Sequence, residues 1–185
     1  MADITSIPAA RVPLLEPGST VMSREWYRML APPPAAAMLR RAAFANSAAQ
    51  TAAANTATAV TFNVTTFTNG VGLVSSSQVS PGQAGDYLVN FRAAFAKSTG
   101  GDAPAWLWLR KNGTDVANTA VYVSVKGTNA ETTVSLNLLV RLAQTDYVQV
   151  MWATSDVNVT MPATAATAFS PAGPSALLSF TQVDP

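Results

Sequence analysis

From residue 57 onward the chain alternates apolar and polar positions with a period of two, the spacing of a strand with one face turned to a core. In Tyr87-Leu88-Val89-Asn90-Phe91-Arg92-Ala93-Ala94-Phe95, the residues Tyr87, Val89, Phe91, Ala93 and Phe95 share one face, and Asn90 and Arg92 lie on the other. Across 134–142 every even position is apolar, and Val121, Val123 and Val125 alternate with Tyr122, Ser124 and Lys126. The segment 177–183 reads as a closing strand, and 59–64, 72–77, 106–109, 147–152 and 157–161 as further strands. Asn112-Gly113, set between Leu109 and Val116, is the strongest two-residue hairpin signal in the chain. Pro81-Gly82, Gly100-Gly101, Gly127 to Asn129 and Pro171 to Pro174 mark other turns. Some eight to ten short strands at this spacing predict an all-β sandwich or barrel.

The first part of the chain reads differently. Pro8, Pro13 and Pro17 break any helix and favour extended backbone, so an irregular arm is expected. Within it, Ser23 is a plausible N-cap for a short helix at about 23–30, with Glu25 in the positive first turn and Pro32-Pro33-Pro34 as the stop. Trp26, Met29 and Leu30 fall on one face of that helix, with Tyr27 beside them. A helix of one or two turns cannot bury a tryptophan by itself. The face therefore docks either on its own domain, as a lid, or on another protein, as an anchor. The Ala-rich stretch 35–43 reads as a short helical or linker piece leading into the first strand. This gives an N-terminal arm over 1–43 and a β-domain over 44–185.

One segment breaks the in/out rule. Ala105-Trp106-Leu107-Trp108-Leu109 is apolar on both faces, so either the two leucines or the two tryptophans must point away from the core. An outward apolar row predicts a self-association interface, cover by the arm, or a ligand site.

Composition narrows the chemistry. Only 11% of the 185 residues are charged, against roughly a quarter in ordinary domains. So thinly charged a surface suits a protein largely covered by neighbours. The net charge of +1, with Arg40-Arg41 and Arg110-Lys111 as isolated pairs, gives no basic footprint for nucleic acid. No apolar run approaches the length that spans a bilayer, and Met1-Ala2-Asp3-Ile4-Thr5 opens no signal peptide, so neither a membrane partner nor export is expected. The sequence holds no Cys and no His. Without them there is no Ser–His or Cys–His pair, and zinc, copper and haem lose their usual ligands. Only ten carboxylates remain. A hydrolase would need folding to bring together two of Asp86, Asp102, Asp115, Asp146 and Asp156. No cofactor, no metal and no enzymatic activity are expected.

Several segments resemble, in order along the chain, the jelly-roll head of tumour necrosis factor and the complement globular domains, in the version carried by tailed-bacteriophage virion proteins. They are 50–56 leading into 59–63, Gly85-Asp86-Tyr87-Leu88-Val89-Asn90-Phe91, the hairpin 107–116, Leu142-Ala143-Gln144-Thr145-Asp146-Tyr147-Val148, and the closing 174–180. Thr145 stands where the family usually has Gly. A less specific likeness links 12–17 and 23–27 to the openings of small phage structural proteins. The resemblance spans about three quarters of the chain. It implies an antiparallel jelly-roll sandwich, a homotrimer with aromatic side chains near its axis, and a place in a phage particle made in a bacterial cytoplasm. Trp106, Trp108, Tyr122 and Tyr147 are then the expected oligomer interface, and Trp26, Tyr27, Met29 and Leu30 the expected anchor to a major capsid protein or another virion protein. The role expected is a capsid cement or decoration protein or a short head fibre. The alternative is a receptor-binding tail-fibre head, contacting its target through the loops at 98–102 and 112–115.

Overall fold

The computed structural model describes residues 12–18, 20–30 and 39–184. The chain forms two compact units, Met1–Met38 and Leu39–Pro185.

In the first unit, Leu15 and Met22 bridge across a turn at Pro17-Gly18, with hydrogen bonds from Glu16 N–H to the Val21 carbonyl (2.9 Å) and from Ser23 N–H to the Leu14 carbonyl (2.8 Å). Gly18 has φ of 76°, the left-handed conformation such a turn favours in glycine. Helix α1 (Arg24–Leu30) follows. The Ser23 carbonyl accepts its first intrahelical bond, from Tyr27 N–H, so Ser23 stands at the expected cap position. The Glu16 carboxylate takes the Arg24 N–H at 3.3 Å, placing an anion at the helix's positive end.

The second unit is built of fourteen strands. In chain order they are β1 (Arg41–Asn46), β2 (Gln50–Thr51), β3 (Thr58–Ala59), β4 (Val64–Asn69), β5 (Val71–Val74), β6 (Gln78–Pro81) and β7 (Gly85–Lys97). Then come β8 (Ala103–Lys111), β9 (Thr114–Asp115), β10 (Val121–Val125), β11 (Glu131–Leu142), β12 (Val148–Thr154), β13 (Val159–Met161) and β14 (Ala176–Asp184). They form two seven-stranded antiparallel sheets. One runs β2-β13-β7-β14-β1-β4, with β11 on the other edge of β7; the second runs β10-β8-β12-β6-β5, with β3 on β12 and β9 on β8.

β7 organises the core. Its residues Tyr87, Val89, Phe91, Ala93 and Phe95 are all essentially buried, as the alternation predicts. Tyr87 stacks on Phe180 at 4.6 Å between ring centroids, and Phe95 meets Trp152 of the opposite sheet at 5.7 Å. These fully buried aromatics dominate the apolar burial that holds the layers together.

The expectation fails at the start of the domain. Arg41, Ala42 and Ala43, expected in the arm as a helical or linker piece, belong to β1, while 35–38 lie outside the described residues. Helix propensity loses here to tertiary pairing. β1 sits between β14 and β4, burying Ala42 and Phe44, and the register shifts between Ala43 and Phe44, where β4 carries one extra residue, Thr66. Three buried polar side chains, Gln50, Asn46 and Ser175, together with the exposed Thr61, lock this segment in place. Gln50 Oε1 accepts from the Thr61 N–H (2.8 Å) and hydroxyl (3.0 Å), and Gln50 Nε2 donates to Ser175 Oγ (3.2 Å). Ser175 Oγ donates to the Asn46 carbonyl (3.2 Å), and Asn46 Nδ2 donates to the Thr61 carbonyl (2.8 Å).

Candidate functional site: an aromatic face on the second sheet

The ambiguity of β8 is resolved by the strand beside it, β12. Leu107 and Leu109 are 1% exposed, and their register partners Trp152 and Val150 are buried too. Trp106 and Trp108 therefore stand on the outer face. Trp106 lies between Tyr122 of β10 and Ala153 of β12, its ring 5.9 Å from that of Tyr122 and tilted by 59°. Tyr122 is 61% exposed.

The hairpin beside this row forms as its sequence predicts. Asn112 (φ 48°) and Gly113 (φ 81°) both take positive φ, as a type I′ turn requires, and pair β8 with β9. The short return strand carries Asp115 back over Trp108. Asp115 Oδ1 accepts from the Trp108 indole N–H at 2.8 Å and from Arg110 Nε at 2.7 Å. That fixes the indole's orientation and neutralises the one carboxylate nearby. Arg110 first, and then Trp108, hold the Asp115 carboxyl below the usual carboxylate range. Between this hairpin and β12 lies an open recess of about 390 Å³, floored by Trp106, Trp108 and Ala153 and rimmed by Val116, Ala117, Asn118 and Ala120.

Tyr147 is not part of this face. It lies six residues before Ala153, roughly 20 Å along the strand direction. There its N–H donates to Asn112 Oδ1 (2.9 Å), beside the hairpin turn. Of the four residues expected at an oligomer interface, the fold gathers Trp106, Trp108 and Tyr122 and leaves Tyr147 apart.

Of the expected anchor residues, Trp26 is half-buried, with its indole N–H donating to the Val12 carbonyl at 2.9 Å inside its own unit. Tyr27 (63%) and Leu30 (55%) are exposed, and so are Leu14, Leu15 and Val21, which the sequence reading did not single out. The Met29 side chain lies outside the described residues.

The five aspartates considered for catalysis do not pair with one another. Asp86 binds Arg141, Asp102 binds Lys126, Asp115 binds Arg110, Asp146 binds Lys111, and Asp156 binds the fully buried Lys97. Lys111, Asn112 and the Ala143 N–H hold the Asp146 carboxyl at about 2, and Arg141 and Lys97 hold those of Asp86 and Asp156 low. A general acid needs the opposite shift. Among the described residues no group of three or more carboxylates could hold a metal ion.

Two apolar features escaped the sequence reading. Leu139, Leu177 and Phe67 are exposed on the outer face of the first sheet, and Phe169, in the loop between β13 and β14, is 91% exposed. Leu138-Leu139-Val140, apolar on both faces, was the available signal for the first. For Phe169 the signal was an aromatic residue inside a Pro-, Ala- and Thr-rich loop.

No known protein-family profile matches this sequence, and no curated protein matches it. Solved structures do. Murine APRIL, of the tumour necrosis factor family, superposes with TM-score 0.54 at 14% identity, covering 79% of this chain and 100% of APRIL in its pH 5.0 crystal structure. The pH 8.0 structure gives 0.52 at 13% identity, with the same coverage. The globular domain of zebrafish complement 1qA gives 0.50 at 15% identity, covering 79% of this chain and 98% of that domain. Fourteen strands in two antiparallel sheets, closed over the core of β7, thus have the jelly-roll fold of the tumour necrosis factor and complement globular heads.

Proposed function

We propose that this chain is a structural subunit of a bacteriophage particle, a capsid cement or decoration protein or a short head fibre. Its N-terminal unit grips a neighbouring virion protein and its jelly roll associates with copies of itself, as a trimer. The observation that carries the reading is the apolar surface of the first unit. Within seventeen residues it exposes Leu14 (52%), Leu15 (46%), Val21 (64%), Tyr27 (63%) and Leu30 (55%). Burying a Val, Leu or aromatic side chain contributes about 1.5–3 kcal/mol. Five such side chains in one small unit, each with about half or more of its surface still to bury, supply a large part of what would hold the unit on a partner. The scarcity of charge supports contacts made by apolar burial, and the separately paired aspartates support a role without catalysis.

The test replaces Val21, Tyr27 and Leu30 with Asp in the full-length chain. The variant should keep the wild-type circular dichroism spectrum and molar mass in solution, yet be missing from particles assembled in its presence. Normal incorporation refutes the anchor. Specific binding of the wild-type protein to host cells, unchanged in the variant, favours a receptor-binding head instead.

A further inference from the structure

We infer that Lys97 and Asp156 condense, with loss of one water, into an intramolecular isopeptide bond that ties the end of β7 to the turn between β12 and β13. The inference is independent of any place in a particle.

The amine sits where a lysine is rarely left. The Lys97 side chain is fully buried, and among the described residues its Nζ meets one acceptor, Asp156 Oδ2. An ammonium carries three donors, so one acceptor leaves it short in the interior. A buried ion pair also carries a desolvation cost that a neutral amide does not.

Both reacting groups are fixed in place. The Lys97 N–H donates to the Ala130 carbonyl (3.0 Å), and the Lys97 carbonyl accepts from the Asn129 N–H (2.8 Å). Lys97 is the register partner of Val159, and the Ser98 N–H donates to the Asn158 carbonyl (3.2 Å). The turn is closed by the Val159 N–H on the Asp156 carbonyl (3.0 Å) and the Asp156 N–H on Thr154 Oγ1 (3.2 Å). Holding two groups in one geometry is what speeds an intramolecular reaction. Asp156 Oδ1 accepts from the Asn158 N–H and from Asn158 Nδ2, both at 2.9 Å, which leaves Oδ2 for the amine. Gly100 passes over the contact: a Cβ there would lie 3.5 Å from Lys97 Nζ and 3.6 Å from Asp156 Oδ2. The Asp156 side chain is 28% exposed, which gives a leaving water a way out.

Lys97 holds Asp156 ionised, so the ion pair is the resting form. Reaction begins when one proton passes from the ammonium to Oδ2. The amine lone pair then attacks Cγ, and the carbonyl electrons move onto Oδ1, where the two Asn158 donors meet the developing charge. A second proton passes from Nζ to Oδ2, the Cγ–Oδ2 bond breaks, and water departs. Both charges are gone, and no co-reactant is needed.

The experiment is a tryptic map, by mass spectrometry, of the purified full-length chain after unfolding. Wild type should give a branched peptide joining 93–110, uncut at Lys97, to 142–185, lighter than the two together by one water. Lys97→Arg keeps the positive charge but has no amine that can condense, and should release 142–185 unlinked. Asn158→Ala keeps both reacting groups and removes one donor from Oδ1; after a pulse of synthesis it should link about tenfold or more slowly than wild type. Linking of Asn158→Ala at the wild-type rate overturns the part given to Asn158. Wild type cut at Lys97, with 142–185 at its sequence mass after prolonged incubation, overturns the bond itself. So does a branch joining Asp156 to any other lysine. The wild-type map decides this whether or not either variant folds.

Discussion

Gln50→Leu tests whether the polar network at the start of the domain, rather than apolar packing alone, holds β1 and β2 in place. Gln50 is 9% exposed and nearly equal to leucine in volume, so the change removes hydrogen bonds without opening a cavity. It leaves the Thr61 N–H, now bonded at 2.8 Å, without an acceptor and takes one donor from Ser175 Oγ. Thr61 is exposed, so water reaches its freed N–H, and the loss is that of three neutral hydrogen bonds at about 0.5–1.5 kcal/mol each. Set against the modest gain from burying two more apolar carbons, the net loss is about 2–3 kcal/mol. For a chain of this size that lowers Tm by about 4–12 °C. Urea unfolding followed by far-UV circular dichroism, at one protein concentration because association shifts stability, measures it. Thr61→Val keeps the backbone bond to Gln50 and should cost only about 1 kcal/mol. The reasoning is refuted if Gln50→Leu stays within about 0.5 kcal/mol of wild type, or if Thr61→Val costs more than Gln50→Leu.

The remaining expectations concern register and pH. Phe180→Ala should cost about 3–5 kcal/mol by removing a fully buried ring stacked on Tyr87, whereas Ser179→Ala, one residue away on the outer face, should cost about 0.5 or less. Equal costs in the same urea assay would mean that β14 is placed in the wrong register. Asp146 should titrate near 2 in the folded protein, as followed by carboxyl carbon NMR. Because its folded pKa lies below the unfolded value of about 3.9, its contribution to stability is complete above that pH. The contribution fades as pH falls from about 4 to about 2, and Asp146→Asn should flatten that part of the stability profile. A midpoint near 4 would mean that the Lys111 and Asn112 contacts do not form in solution.

Sequence alone determined the fold class, the strands of the core and the absence of the usual catalytic side chains. Strand periodicity is a local property: the pleat sends alternate residues to opposite faces, so the buried row from Tyr87 to Phe95 could be read directly. The Asn112-Gly113 hairpin was equally legible, since a positive φ at both positions is a matter of local sterics. Three things depended on contacts distant in sequence. The stretch 35–43 looks helical because alanine favours helix, and its last residues, Arg41 to Ala43, join strand β1 because β14 and β4, more than a hundred and about twenty residues away, offer hydrogen bonds on both edges. In β8 either face was apolar enough to be buried, and only the opposing Val150 and Trp152 show that the leucines go inward. The site depended on the same nonlocal pairing. Trp106 and Tyr122 meet because β8 and β10 are register neighbours, and Tyr147 drops out because it lies at the other end of its strand.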